Sequence, residues 1–211
     1  APGSVFKTVI AAAGIESGLA SDKKYDCSLN MYGENNGEQD EGILNVERSF
    51  AKSCNFAFTS MANELMKEDR NVVETFAEKL GLADKAGWNG PVYHYENFMQ
   101  FPEEKNPGIW GEKTDKGSVR AIAQTAIGQK NVRVTPLSVA NMMAAIARGG
   151  QKKQVKIVDS ILYKNGTTMF KFPDNKQAGD SISPYTASKL QHLLRLVVTD
   201  GEGTGRRFQT L

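Results

Sequence analysis

Residues 2–13 read PGSVFKTVIAAA, and this alanine-rich segment predicts a helix that the next glycine, Gly14, would end. Apart from Lys7 and Thr8, the segment is apolar on every side. A helix of this kind is typical of the middle of a protein, where other elements cover it all round. Because it opens the chain, with nothing before it to provide that cover, the sequence is interpreted as a fragment.

The overall composition indicates a soluble globular protein with one compact core or two small ones. The chain has 211 residues, of which 40% are hydrophobic and 24% charged. Its 26 basic and 24 acidic side chains are scattered and leave a formal net charge of +2, so nucleic-acid binding is not expected. No membrane-spanning stretch or signal peptide is predicted. The two cysteines, Cys27 and Cys54, are interpreted as structural, either paired or free.

Apolar periodicity and capping residues predict five further helices. Three of them cover residues 46–52, 56–67 and 71–80. The fourth begins at Thr135-Pro136, which supplies an N-cap and a proline in the first turn. The last begins in the same way at Ser183-Pro184 and carries a single apolar stripe.

Two long loops and one β-hairpin are predicted between these helices. Residues 22–45 are polar and acidic, which is typical of a functional or mobile loop. Residues 84–117 are interpreted as an ordered surface loop that packs its own aromatic side chains or, alternatively, as the wall of a substrate groove. Residues 155–163 and 167–172 flank Asn165-Gly166, a strong hairpin signal. The fold class is therefore predicted to be mainly α with a peripheral β-hairpin.

Ser4 and Lys7 form a Ser-x-x-Lys pair at the start of the first helix. Three residues on a helix turn through about 300° and rise about 4.5 Å, so both side chains share a face. A serine hydroxyl needs a neighbouring base to become a nucleophile, and a neutral lysine can act as that base when burial or a nearby cation lowers its pKa. The apolar helix favours this chemistry, because it leaves little room for Lys7 as a solvated surface charge.

Ser53 and Asn55, on either side of Cys54, are the second candidate pair. They lie between two predicted helices, which places a hydroxyl and an amide on one short turn. Such a turn can pass a proton and hold a substrate amide. On its own this triplet is not specific.

No cofactor and no metal site is predicted. The glycine-rich run at residues 201–205 follows a helix rather than a strand, and Arg206 stands where a dinucleotide fingerprint needs glycine. His94 and His192 are far apart in sequence and have no partners at metal-ligand spacing. Both are interpreted as core or surface histidines.

Several ordered segments together closely resemble the penicillin-binding protein transpeptidases, most of all their monofunctional class B branch. The match runs along the whole chain, and its final part, 197–199 followed by 203–205, resembles the segment that leads into the family's third motif. The other matching segments are PGSVFK (2–7), SFAKSCNFAF (49–58), AIGQ (126–129), VTPLSVAN (134–141) and AIARGG (145–150).

The resemblance implies a serine acyl-transfer enzyme. Ser4 would attack the carbonyl of a D-alanyl-D-alanine stem peptide or of a β-lactam, with Lys7 as general base. Ser53 and Asn55 would relay the proton and position the substrate, and the backbone N–H of Ser4 would supply half of the oxyanion hole. The implied partners are peptidoglycan stem peptides, β-lactams and other cell-wall synthesis proteins. The implied location is extracytoplasmic, with a membrane anchor upstream of this chain.

One departure from the family pattern shapes the expected domain organisation. The third motif, Lys-Thr-Gly or Lys-Ser-Gly, is absent from the sequence. Residues 1–211 are therefore expected to be the helical subdomain of the α/β transpeptidase fold, with sheet strands missing at both ends. The fragment itself is expected to be inactive. It is also expected to self-associate or repack around residues 1–15, because the opening helix would lose the cover of the sheet.

Two other functions are open at this point. A β-lactamase or a β-lactam sensor would share the Ser-x-x-Lys pair, although the long path from Ser4 to Ser53 and the 135–150 block favour the transpeptidase. A noncatalytic helical interaction module, in which the motifs are relics, is the alternative from a different class.

Overall fold

Seven α-helices and three two-stranded antiparallel sheets make up the part of the chain that the computed structural model describes, residues 1–35, 41–174 and 179–210. The helices are α1 (Lys7–Glu16), α2 (Val46–Ala51), α3 (Asn55–Glu68), α4 (Val72–Lys79), α5 (Val119–Ala126), α6 (Pro136–Ala147) and α7 (Pro184–Thr199). The strands are β1 (Lys24–Asp26), β2 (Ile43–Asn45), β3 (Asn89–Val92), β4 (Tyr95–Met99), β5 (Ser160–Leu162) and β6 (Thr168–Lys171). Three 3₁₀ turns cover Gly3–Phe6, Lys113–Gly117 and Arg206–Thr210.

Helix α1 is the centre of the main hydrophobic core. Its residues from Lys7 to Gly14 are all buried, and α3, α4 and α7 pack around it. The expectation that this helix lacks cover is therefore wrong, because the chain's own helices enclose it. Self-association stays a prediction, but an exposed α1 no longer supports it.

Gly14 does not end α1, contrary to the sequence prediction. The helix continues to Glu16, since hydrogen bonding of the backbone carries on through this residue. A Cβ atom at Gly14 would lie 2.5 Å from Sδ of Met61 on α3. The glycine therefore marks a close approach between α1 and α3 rather than a helix end.

The predicted helices α2, α3, α4, α6 and α7 are all present, and α6 and α7 are capped as the sequence indicates. The Thr135 side chain accepts from the backbone N–H of Ser138, and Ser183 does the same for Thr186. Sequence analysis missed α5, which is only eight residues long. Its buried face packs against α3, and the Ser118 side chain caps its start.

The mainly helical fold with a peripheral hairpin is confirmed, and two further strand pairs accompany that hairpin. The hairpin around Asn165-Gly166 is β5–β6. β1 and β2 pair within the predicted loop 22–45, of which residues 36–40 lie outside the described part. β3 and β4 form a hairpin within the predicted loop 84–117.

The hairpins β3–β4 and β5–β6 share a small second hydrophobic cluster. Trp88 and Phe172 are buried there in edge-to-face contact, with ring centroids 5.0 Å apart. The indole N–H of Trp88 donates to the carbonyl of Pro173 at 2.9 Å, and the Tyr93 hydroxyl donates to the carbonyl of Met169 at 2.9 Å. The aromatic side chains of residues 84–117 thus pack against the second hairpin as well as against each other.

We expect leucine-to-alanine substitutions to cost more stability in the core than on the hairpin surface. Leu190 on α7 is fully buried, so Leu190→Ala should lower the free energy of unfolding by about 2–5 kcal/mol through lost burial and a residual cavity. Leu162 on β5 is 54% exposed, so Leu162→Ala should change it by less than about 0.5 kcal/mol. Urea unfolding measures both, and equal losses would contradict the placement of α7 in the core.

Candidate active site

Ser4 and Lys7 lie where the first 3₁₀ turn passes into α1. Ser4 is exposed within the turn Gly3–Phe6, whereas Lys7, the first residue of α1, is only 3% exposed. The neighbouring Phe6 is fully buried, which fixes the start of the helix in the core. The hydroxyl is thereby open to a ligand while the amine one turn away is enclosed by protein.

Ser53 and Asn55 belong to the short turn between α2 and α3. Ser53 has φ +59, a left-handed conformation that costs a residue with a side chain about 1–2 kcal/mol. Two backbone bonds hold the turn, from the N–H of Ser53 to Phe50 O at 3.1 Å and from the N–H of Cys54 to Ser49 O at 2.8 Å. The conformation turns the carbonyl and hydroxyl of Ser53 toward α1.

The ammonium group of Lys7 brings the two motifs together. It donates to the carbonyl oxygen of Ser53 at 2.6 Å, to the Ser53 hydroxyl at 2.8 Å and to Oδ1 of Asn55 at 2.7 Å. An ammonium has three N–H donors, so the turn accepts all of them. The Ser53 hydroxyl in turn donates to Oγ of Ser4 at 3.1 Å. All four residues singled out in the sequence therefore meet at one place.

Burial of Lys7 changes its acid–base behaviour. Removal of the amine from water disfavours its charged form and lowers the pKa of Lys7 from 10.5 to about 8. The ring of Phe58, with its centroid 5.8 Å from Nζ, covers another side of the group. A substantial fraction of the Lys7 side chains is therefore neutral in mildly alkaline solution and can accept a proton.

Gly128, at the end of α5, fixes the backbone beside the nucleophile candidate. The N–H of Gly3 donates to the carbonyl of Gly128 at 3.0 Å. Gly128 has φ +68, and a Cβ atom there would lie 2.1 Å from the carbonyl oxygen of Gly3. Only glycine permits this approach. Sequence reasoning noted Gly128 only within a family-like segment, and because it missed α5 it also missed that this glycine follows a helix end.

Cys27 and Cys54, whose pairing the sequence left open, form a disulfide. Cys54 is the residue between Ser53 and Asn55, and it is also the N-cap of α3, where its sulfur accepts from the N–H of Ala57 at 3.4 Å. Cys27 directly follows β1. The disulfide therefore ties the candidate catalytic turn to the β1–β2 sheet.

The C-terminal segment packs against the end of α2. The N–H of Thr204 donates to the carbonyl of Ala51 at 3.0 Å, and the N–H of Gly205 donates to Val197 O on α7 at 2.9 Å. Ala51 is two residues before Ser53. The segment that resembles the approach to the family's third motif thus lies beside the turn that carries its second motif.

A comparison with protein families decides the identity of this arrangement. The profile described as "Penicillin binding protein transpeptidase domain" matches residues 1–211. The chain belongs to the penicillin-binding protein transpeptidase family. The resemblance drawn from the ordered motifs is therefore confirmed.

Individual proteins resemble this transpeptidase-family chain in sequence or in fold. The peptidoglycan D,D-transpeptidase PbpA of Mycobacterium tuberculosis is 28% identical over 207 residues, which cover 92% of this chain and 38% of the relative. Among solved structures, its imipenem acyl-enzyme complex has a TM-score of 0.70 at 23% identity, covering 92% of this chain and 43% of the other. The D,D-transpeptidase domain of a peptidoglycan glycosyltransferase from Eggerthella lenta has a TM-score of 0.72 at 24% identity, with coverages of 97% and 50%. This chain thus spans about two fifths of the length of the curated relative.

The titration of Lys7 predicts a specific pH dependence of stability. Between pH 8 and 10.5 the unfolded chain retains a proton that the folded chain has released, so stability rises with pH in this window. The gain is at most about 1.4 kcal/mol per pH unit, and it vanishes below the lowered pKa, where both states are protonated. Lys7→Met removes this titration.

Urea unfolding of both proteins at intervals from pH 7 to pH 10 measures the effect. The stability of the wild type relative to Lys7→Met should increase above pH 8, and the other titrating groups cancel in the difference. Parallel curves across the range would contradict a lowered pKa for Lys7.

Proposed function

We propose that the protein is a peptidoglycan D,D-transpeptidase that works through a serine acyl-enzyme. The observation that carries this proposal is the continuous chain of hydrogen bonds from Oγ of Ser4 through Oγ of Ser53 to Nζ of Lys7. It links an exposed nucleophile candidate to a buried amine whose pKa is lowered to about 8. Membership of the transpeptidase family supports the same reaction class.

The first half-reaction begins with Lys7 in its neutral form. The amine then keeps two N–H donors, which can serve the Ser53 carbonyl and Oδ1 of Asn55, while its lone pair accepts the Ser53 hydroxyl proton. Ser53 takes the proton of Ser4, and Oγ of Ser4 attacks the carbonyl between the two D-alanines. Collapse of the tetrahedral intermediate breaks the peptide bond, and the proton returns along the same path to the departing amine of D-alanine.

The second half-reaction transfers the acyl group. An amine from a neighbouring stem peptide attacks the Ser4 ester, gives up its proton through the same relay, and releases the Ser4 hydroxyl as the cross-link forms. Asn55 contributes the other end of its amide: with Oδ1 held by Lys7, its NH₂ group is left to hold a substrate carbonyl. The backbone N–H of Ser4 donates to the developing oxyanion.

The ligands we propose are peptidoglycan stem peptides ending in D-alanyl-D-alanine and β-lactams. A β-lactam presents a strained amide at the position of the scissile bond, so Ser4 would form with it an ester that lacks a departing amine. The solved acyl-enzyme of the Mycobacterium tuberculosis relative with imipenem supports this ligand class. Other cell-wall synthesis proteins are proposed as partners of the whole protein.

We further propose an extracytoplasmic location and a larger parent domain. The Cys27–Cys54 disulfide supports the location, because disulfides persist in oxidising compartments. No helix within the described ranges is long and apolar enough to cross a membrane, and the proposed anchor belongs to another part of the protein. Residues 1–211 would form the helical subdomain, with the third motif supplied by a sheet outside it.

Labelling with a fluorescent penicillin tests the nucleophile. The full-length protein should become covalently labelled, and Ser4→Ala should abolish the label because the attacking oxygen is gone. Ser21→Ala, a matched substitution at an exposed serine outside the site, should label like the wild type. Undiminished labelling of Ser4→Ala would exclude Ser4. Rapid multiple turnover of the penicillin would instead favour a β-lactamase.

The pH profile of acylation tests the base. The rate constant should rise about tenfold per pH unit as Lys7 loses its proton and should level off near pH 8, where its pKa lies. Lys7→Arg keeps the positive charge but cannot release a proton, so acylation should be lost throughout this range. A profile that is flat between pH 6 and pH 8 would argue against Lys7 as the base.

A further inference from the structure

The Cys27–Cys54 disulfide has no part in the proposed chemistry, yet it is a covalent cross-link attached directly to the candidate catalytic turn. Cys54 directly separates the two residues that accept all three donors of Lys7. The turn follows α2, which has only six residues, and the disulfide adds a covalent cross-link to the hydrogen bonds that hold it. Resting on the proposed function, we infer that this disulfide positions Ser53 and Asn55 against Lys7, so that acylation requires the oxidised protein.

The other end of the bond, Cys27, is anchored on two sides. The N–H of Cys27 donates to Gly42 O at 2.9 Å, and the Ser49 hydroxyl, fully buried, lies 3.6 Å from Sγ of Cys27. A disulfide sulfur carries no hydrogen, so Ser49 is the donor in this contact. Cys27 is thus fixed to the sheet and to α2 at the same time.

The disulfide closes a ring in the chain. β2 ends at Asn45, whose side chain caps α2 by accepting from the N–H of Arg48 at 2.9 Å. α2 then leads directly into the turn, and the disulfide returns from Cys54 to the end of β1. The segment from residue 27 to residue 54 is therefore closed on itself, with α2 inside the ring and Ser53 at its edge.

The backbone conformation of Ser53 is unfavourable. Its left-handed conformation persists only when the surroundings restrain it. The restraints are the pair of backbone bonds to α2, the bonds from Lys7 to the carbonyl and hydroxyl of Ser53, and the covalent bond through Cys54. Reduction by an added dithiol transfers two electrons and two protons to the bond, leaves Cys27 and Cys54 as thiols and converts the dithiol to its own disulfide, which removes the covalent restraint.

Most of the main core is built by other residues, although Cys27 and Cys54 both belong to its cluster. α1 packs against α3, α4 and α7, and the buried side chains of these helices form one continuous cluster. Loss of the disulfide is therefore expected to release the turn while the fold is retained. Lys7 would then lose acceptors, so its titration as well as the relay to Ser4 would change.

The test compares acylation of the oxidised and reduced full-length protein by a fluorescent penicillin. Reduction with dithiothreitol should lower the acylation rate constant at least tenfold and should shift its pH profile, while the far-ultraviolet circular dichroism stays unchanged. Cys27→Ala, which leaves Cys54 in place as N-cap, should reproduce the slow rate and should not respond to the reductant. Reoxidation of the wild type should restore the rate.

Phe172→Ala is the control for a loss of stability alone. Phe172 is buried in the hairpin cluster, away from the site, so this variant should be destabilised but should acylate at the wild-type rate below its melting temperature. The inference is overturned if the reduced protein acylates as fast as the oxidised one, if reduction abolishes the circular dichroism of the fold, or if Phe172→Ala slows acylation as much as Cys27→Ala. If the oxidised wild type is not acylated at all, the proposed function fails instead.

Discussion

The buried contact between the Lys7 amine and the turn at Ser53 and Asn55 is the constraint on which the rest of the structure depends. Enclosing an amine in protein is costly, and the cost is offset only when every donor finds an acceptor or the group gives up its charge. The site suits both protonation states: three oxygens accept from the ammonium, and burial lowers the pKa to about 8, so the neutral amine is also populated in mildly alkaline solution. A group balanced in this way stays charged or neutral at little cost, as a proton acceptor requires.

The surrounding helices hold that contact in place. α1 is buried from Lys7 to Gly14, and the amine of Lys7 is bonded to the turn at Ser53 and Asn55. Two glycines permit close contacts: Gly14 lies against the side chain of Met61 on α3, and Gly128 lies against the backbone of Gly3, the residue before Ser4. Gly14 lies within α1, and Gly128 follows α5. Both contacts contribute to the close packing of the elements that carry the site.

Much of this arrangement was predictable because it depends on local geometry. The shared face of Ser4 and Lys7 follows from helical spacing, five later helices from apolar periodicity and caps, and β5–β6 from Asn165-Gly166. The pairing of β1 with β2 was not predictable, since each strand has three residues and their partners are set by tertiary packing. The enclosure of α1 and the choice between paired and free cysteines likewise depend on distances between segments far apart in sequence, which no local pattern reports.

The separate packing of the two hairpins also has a spectroscopic consequence. The chain has two tryptophans: Trp88 lies in the hairpin cluster, and Trp110 packs against the main core. Each indole thus sits in a different hydrophobic cluster, and regions of a protein can open locally without unfolding of the whole. Intrinsic fluorescence is therefore a sum of two local reporters, and a single emission change on heating or in denaturant cannot by itself be read as unfolding of the whole chain.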